Sequence, residues 1–87
     1  VLLGVGTARR NRAYRTGIAF WEDVVRKAPH NGRAFNNLGY AYALAAREED
    51  AEEALRRALA LDPTDVRAAV NLRLLREGAL AGAERRP

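Results

Sequence analysis

Apolar side chains recur along this chain at intervals of three and four residues, the spacing that places them on one face of an α-helix. The clearest stripe, Phe35, Leu38 and Tyr42, lies in a helix predicted over residues 32–45. Similar stripes predict three further helices, over residues 14–28, 48–61 and 66–78. No segment alternates apolar and polar residues as a β-strand does, so the pattern predicts an all-α fold.

Prolines and capping residues set the predicted boundaries of these helices. Pro29 and Pro63 end two of them, because a proline disfavours helical geometry in the residue before it. Asn31 and Asp65 follow the prolines, and each has a short polar side chain that suits the cap of a new helix. A short turn is predicted near residues 46–47. Successive helices therefore fold back on one another in an antiparallel array.

The chain also repeats itself with a period of 34 residues. A shift by this period aligns five residues with their own kind: Pro29 with Pro63, Arg33 with Arg67, Ala34 with Ala68, Asn37 with Asn71 and Leu38 with Leu72. A repeat of this length corresponds to one pair of helices, which buries its apolar face by stacking on its neighbours. The sequence therefore predicts antiparallel helix-turn-helix repeats.

Residues 32–65 resemble the tetratricopeptide repeat (TPR) at eight positions: Phe35, Leu38, Gly39, Tyr42, Ala51, Leu55, Ala58 and Pro63. The resemblance implies that the small residues Gly39 and Ala51 let the two helices of this complete repeat cross closely. Residues 14–31 resemble the second helix of a partial repeat, through Gly17, Trp21 and Pro29. Residues 66–87 resemble the first helix of a following partial repeat, or a capping helix, with a frayed tail.

The amino-terminal residues fit this repeat poorly. Residues 1–13 match either a poor first helix, with a turn near residues 10–12, or the end of a membrane segment. Residues 10–39, with Arg-Asn-Arg-x-Tyr-Arg and then Trp-Glu-Asp-Val-Val-Arg-Lys, resemble the junction after the last membrane span in bacterial multispanning proteins with carboxy-terminal TPRs. Some of those proteins resemble lipid-linked-sugar glycosyltransferases.

The second resemblance implies a membrane tether upstream of residue 1. Residues 1–6 would then end a membrane helix and pack weakly here, and nearby arginines would lie at the lipid headgroups: Arg9, Arg10, Arg12 and Arg15. The location stays open between cytoplasmic and membrane-attached. The positive-inside rule places this flank in the cytoplasm, whereas the transferase resemblance implies the opposite side.

Composition and charge narrow the chemistry that we expect. The chain has no cysteine and one histidine, so we expect no metal site. It has no serine, and its carboxylates fall on predicted solvent faces, so we expect no catalytic residues, no cofactor and no enzymatic activity. Residues 34–65 hold three basic and seven acidic side chains. A nucleic-acid binder more often has one continuous basic face, so no nucleic-acid partner is expected.

The TPR resemblance implies a concave groove lined by the first helix of each repeat. The residues between the packing positions are expected to face it: Arg33, Asn36, Asn37 and Tyr40, and one repeat later Arg67, Val70, Asn71 and Leu74. Asn37 and Asn71 lie one repeat apart, and some TPR proteins hold extended peptides with a ladder of such asparagines. The alternative is that these two asparagines only solvate the face or bond to a neighbouring helix.

These resemblances imply a scaffold for protein–protein interaction, which binds an extended peptide or a partner helix in the groove. The alternative function is a non-catalytic TPR appendage of a membrane glycosyltransferase-like protein. The apolar edges of the repeats also predict association with a second copy of the chain, a homo-oligomer.

Overall fold

The computed structural model describes residues 2–80, and their side chains from residue 14 onward. Within this range the chain is all-α, as predicted, and its helices are α1 (Leu2–Lys27), α2 (Gly32–Leu44), α3 (Glu48–Leu61) and α4 (Val66–Arg76). The bounds of α3 agree with the prediction. Helix α2 ends one residue earlier than predicted, and α4 ends two residues earlier.

The first helix differs most from the prediction. Helix α1 runs without interruption from Leu2 to Lys27, so the turn expected near residues 10–12 is absent, and the predicted start at residue 14 is wrong. Residues 7–16 contain no proline or glycine, and arginine is a good helix former, so the local sequence supports a continuous helix. No helix within residues 2–80 combines the length and the apolar character that crossing a bilayer requires.

Three expectations concern side chains or residues that the structure does not describe. They are the weak packing of residues 1–6, the headgroup position of arginines 9, 10 and 12, and the frayed tail expected over residues 79–87, from residue 81 onward. Residues 79–80, where that tail was expected to begin, are helical.

Side-chain caps begin α2 and α4 as expected. The side chain of Asn31 accepts a hydrogen bond from the Ala34 N–H at 3.1 Å. Asp65 Oδ1 accepts hydrogen bonds from the N–H groups of Arg67 and Ala68, at 3.0 and 3.2 Å. These bonds satisfy backbone donors that have no partner inside the helix. The caps therefore fix the residues at which α2 and α4 start.

The core forms where α2 and α3 cross. Leu55 of α3 has no exposed surface, and it packs against Gly39 of α2. A Cβ atom built on Gly39 would lie 2.6 Å from Leu55 Cγ, closer than side-chain atoms approach one another. The close helix crossing expected at Gly39 is therefore confirmed. At the other end of the pair, Gly32 lies beside Leu61, so α2 and α3 run antiparallel.

Helices α1 and α4 pack on opposite sides of this pair. Tyr42 of α2 donates a hydrogen bond of 2.5 Å to Glu22 Oε2 of α1. On the other side, Leu72 and Leu75 of α4 join the core around Leu55. Because α2, α3 and α4 are joined by short turns, α4 lies beside α2 and runs parallel to it.

Candidate functional site

A shallow depression lies between the parallel helices α2 and α4, and we call it the α2–α4 groove. Seven residues line it: Asn36, Asn37 and Tyr40 from α2, and Val66, Arg67, Val70 and Asn71 from α4. It has a volume of about 380 Å³ and opens to solvent. Its two walls are fixed by the caps at Asn31 and Asp65, which set the first turns of both helices.

The structure brings five of the seven predicted site residues together in this groove: Asn36, Asn37, Tyr40, Arg67 and Asn71. The other two do not line it. Arg33 lies exposed in the first turn of α2, and Leu74 is half-buried further along α4. Val70 lines the groove as expected, whereas Val66 is an addition. The signal that could have found Val66 is its position one helical turn before Val70, on the same face of α4.

Two asparagines form the floor of the groove. Asn71 Nδ2 donates a hydrogen bond of 2.9 Å to Asn36 Oδ1, and Asn36 is buried with 4% of its surface exposed. In the expected ladder, Asn37 and Asn71 stack one repeat apart and each bonds to the backbone of a ligand. In the free chain, Asn71 already donates one hydrogen bond to Asn36. Asn71 therefore follows the alternative expectation, in which it bonds to a neighbouring helix. Its side chain is held by this bond before any ligand arrives.

Two polar side chains in the groove make no hydrogen bond within the described part of the chain. Asn37 is half-buried beside the asparagine floor, and its carboxamide can both donate and accept. Tyr40 is 43% exposed, and its ring forms part of the groove wall. The groove thus presents polar groups that have no hydrogen-bond partner among the described residues.

Among the described residues that line the groove, Arg67 is the charged one and none is a carboxylate, so their net charge is positive. Elsewhere in the described chain, six basic residues form ion pairs with carboxylates: Arg26, Lys27, Arg47, Arg56, Arg73 and Arg76. Arg67 forms none within residues 14–80. Asp65 lies close to it in sequence, but the carboxylate of Asp65 accepts the backbone N–H groups that start α4.

Apolar surface is also concentrated in the groove. The described residues include five large hydrophobic side chains that remain exposed, and three of them line it: Tyr40 at 43%, Val66 at 72% and Val70 at 46%. We call these three the apolar patch. Exposed apolar groups that gather on one surface, rather than scatter singly, are typical of interaction sites.

The titratable groups with shifted pKa values lie outside the groove. Burial and the hydrogen bond to Glu22 raise the pKa of Tyr42 above its usual range. The hydrogen bond from Lys27 lowers the pKa of Asp23, and the hydrogen bonds from Thr64 lower the pKa of Asp62. Each of these shifts arises from contacts that hold a helix or a turn. The described residues also contain no group of three or more histidine and acidic side chains arranged to hold a metal ion.

Comparison with known proteins adds nothing to this description, since no family model, curated protein or solved structure matches the chain. The chemistry of the groove is therefore set by its own groups. Around a hydrogen-bonded floor it offers apolar side chains, together with a carboxamide and a guanidinium that have no side-chain partner within residues 14–80. These groups bind by hydrogen bonding, charge and burial.

Proposed function

We propose that the chain is a TPR-like interaction module whose α2–α4 groove binds an extended peptide of a partner protein. The observation that carries the proposal is the Asn37 carboxamide, which makes no hydrogen bond within the described residues and lies beside the Asn36–Asn71 floor. A carboxamide both donates and accepts, so it can bond to the N–H and C=O groups of a peptide backbone whatever the side chains are. The sequence repeat and the stacking of α4 on α2 support the same proposal.

The form of the ligand follows from where its hydrogen-bonding groups lie. An extended peptide has backbone N–H and C=O groups free to meet Asn37. A helix uses these groups within itself, so it would leave the Asn37 carboxamide without a partner. A buried polar group that loses water without gaining a partner weakens binding. The groove therefore favours an extended segment over a partner helix.

The test is selection of peptides from a random library on the intact chain, followed by affinity measurements with the variant Asn37→Ala. We expect Asn37→Ala to bind the selected peptides about tenfold more weakly, since one or two net hydrogen bonds of about 1 kcal/mol are lost. The variant should keep the circular dichroism spectrum of the parent, because Asn37 makes no hydrogen bond within the described fold.

A matched control is Glu49→Ala, a change at an exposed residue in the first turn of α3, away from the groove. This variant should bind the selected peptides as the parent does. The proposal fails if no peptide is selected, or if Asn37→Ala stays folded and binds with the affinity of the parent.

A further inference from the structure

The apolar patch lies beside Arg67, which forms no ion pair within residues 14–80, and this juxtaposition indicates which peptides the groove selects. We propose that it recognises an extended peptide with an apolar side chain next to a carboxylate. The apolar side chain covers the patch, and the carboxylate pairs with Arg67. This inference rests on the proposed function and adds the chemistry of the ligand to it.

The preference for an apolar ligand side chain follows from the exposure of the apolar patch. Val66 and Val70 stand one turn apart on α4, and Tyr40 faces them from α2 across the groove. All three are exposed in the free chain, although each is large enough to contribute to a core. Burying this surface under a ligand side chain removes it from water, which favours binding. An aliphatic or aromatic side chain gains from this contact, whereas a small or polar one does not.

The preference for a ligand carboxylate follows from the ion pair that Arg67 can form with it. The guanidinium of Arg67 has several N–H donors in a planar fork, a geometry that fits a carboxylate with two hydrogen bonds. No lining residue is acidic, so the groove offers no internal competitor for these donors. A ligand lysine or arginine would meet a like charge with no counter-ion in the groove. The charge of the groove therefore favours an acidic ligand.

The asparagine floor explains why side chains have to supply the selectivity. Asn71 already donates one hydrogen bond to Asn36, whereas the Asn37 carboxamide makes none within the described residues and keeps all of its donors and acceptors for a peptide backbone. Hydrogen bonds from one carboxamide to the peptide backbone hold every extended peptide weakly, and with the same affinity whatever its side chains are. The patch and Arg67 then decide which peptides stay bound.

The experiment uses synthetic nonapeptides, acetylated and amidated, built from threonine and alanine around a central Leu-Asp pair. Three matched peptides replace the leucine by alanine, the aspartate by asparagine, or both. We expect the Leu-Asp peptide to bind the intact chain at least tenfold more tightly than either single replacement, and its affinity to fall as salt is added.

Two groove variants assign the contacts. Arg67→Gln should weaken binding of the Leu-Asp peptide and should make no further difference once the aspartate is replaced, because the two changes remove the same interaction. Val70→Thr keeps a branched side chain of the same shape and should reduce only the advantage of leucine over alanine. Arg56→Gln, on the exposed side of α3, is the charge-matched control. It should change neither the affinity for the Leu-Asp peptide nor the advantage of leucine over alanine.

The possible results separate the two proposals. Peptides that bind with dependence on Asn37 but equally well with or without leucine and aspartate overturn this inference and leave the proposed function standing. The inference is also overturned if Arg67→Gln weakens binding of the aspartate peptide and of the asparagine peptide by the same factor. If none of the four peptides binds, while other library peptides bind through Asn37, the inference is wrong again. If no peptide binds at all, both proposals are wrong.

Discussion

Helices α1 and α3 align with each other when the sequence is shifted by 34 residues, yet α3 is buried at the aligned positions and α1 is much less so. Ala51 of α3 and Gly17 of α1 lie 34 residues apart in the sequence, so they occupy equivalent positions of the repeat. Ala51 has no exposed surface. A Cβ atom built on Gly17 would meet nothing within 4 Å in the described part of the chain. A small residue at this position therefore marks a close helix crossing only where a partner helix covers it.

The large residues repeat the contrast. Leu55 of α3 is fully buried, whereas Trp21, its equivalent in α1, is half-buried, and the neighbouring Phe20 is 59% exposed. The rings of Phe20 and Trp21 contact each other edge to face, with their centroids 4.9 Å apart. Helix α1 therefore covers α2 with one side, and part of its apolar surface stays exposed.

The largest test of this contrast compares two large-to-small changes. Leu55→Ala should lower the free energy of unfolding by about 3 kcal/mol, because it leaves a cavity among residues that cannot close it. Phe20→Ala should change it by about 0.5 kcal/mol or less, because the ring is mostly in solvent and alanine favours a helix. Urea unfolding followed by circular dichroism measures both. Equal losses in the two variants would show that α1 is packed as tightly as α3.

A second test places the same methyl group in the two regions. Gly39→Ala should destabilise the fold by about 1 kcal/mol, since an overpacking cost of about 2 kcal/mol, the middle of its usual range, exceeds a helix-propensity gain of about 1 kcal/mol. The cost is expected because the new Cβ meets the fully buried Leu55. Gly17→Ala should instead stabilise the chain by about 0.5–1 kcal/mol, because its new Cβ meets open space.

Opposite signs in one thermal-melting experiment would confirm the contrast between the two glycines. A stabilising Gly39→Ala would mean that α2 and α3 can separate enough to admit a methyl group. A strongly destabilising Gly17→Ala would mean that another part of the chain covers that face of α1.

Local chemistry explains how much of the fold could be predicted from the sequence. Asn31 and Asp65 each cap the helix that follows, and Pro63 ends the helix before it, so α2 and α4 begin and α3 ends where predicted. The turn near residues 10–12 was inferred by extending the repeat, without a proline or glycine to form it. The continuous helix α1 shows that the period of a repeat does not break a helix by itself.

The groove shows a similar limit at the level of single side chains. The TPR resemblance implies that Asn36, Asn37 and Asn71 face one groove, and the three line the same depression. The sequence does not indicate that Asn71 bonds to Asn36. That bond depends on how α2 and α4 are turned toward each other in the folded chain, which no single segment of sequence determines.

The last prediction concerns the hydrogen bond that joins the two regions, from Tyr42 of α2 to Glu22 of α1. Tyr42→Phe keeps the ring in the core and removes this bond, so it should cost about 1 kcal/mol near neutral pH. Burial and Glu22 raise the pKa of Tyr42 in the folded chain above its value of about 10 in the unfolded chain. The stability that this adds is fully present below pH 10 and is lost as the pH rises above it.

The parent should therefore lose stability more steeply than Tyr42→Phe as the pH rises above 10, and the two unfolding curves should converge in strong alkali. The other tyrosines and Lys27 are common to both chains, so they cancel in the difference. Tyr40→Phe, a change at the exposed tyrosine of the groove, is the matched control and should follow the parent. If Tyr42→Phe declines as steeply as the parent, the bond does not tie α1 to α2, and the two regions are held together by apolar contact alone.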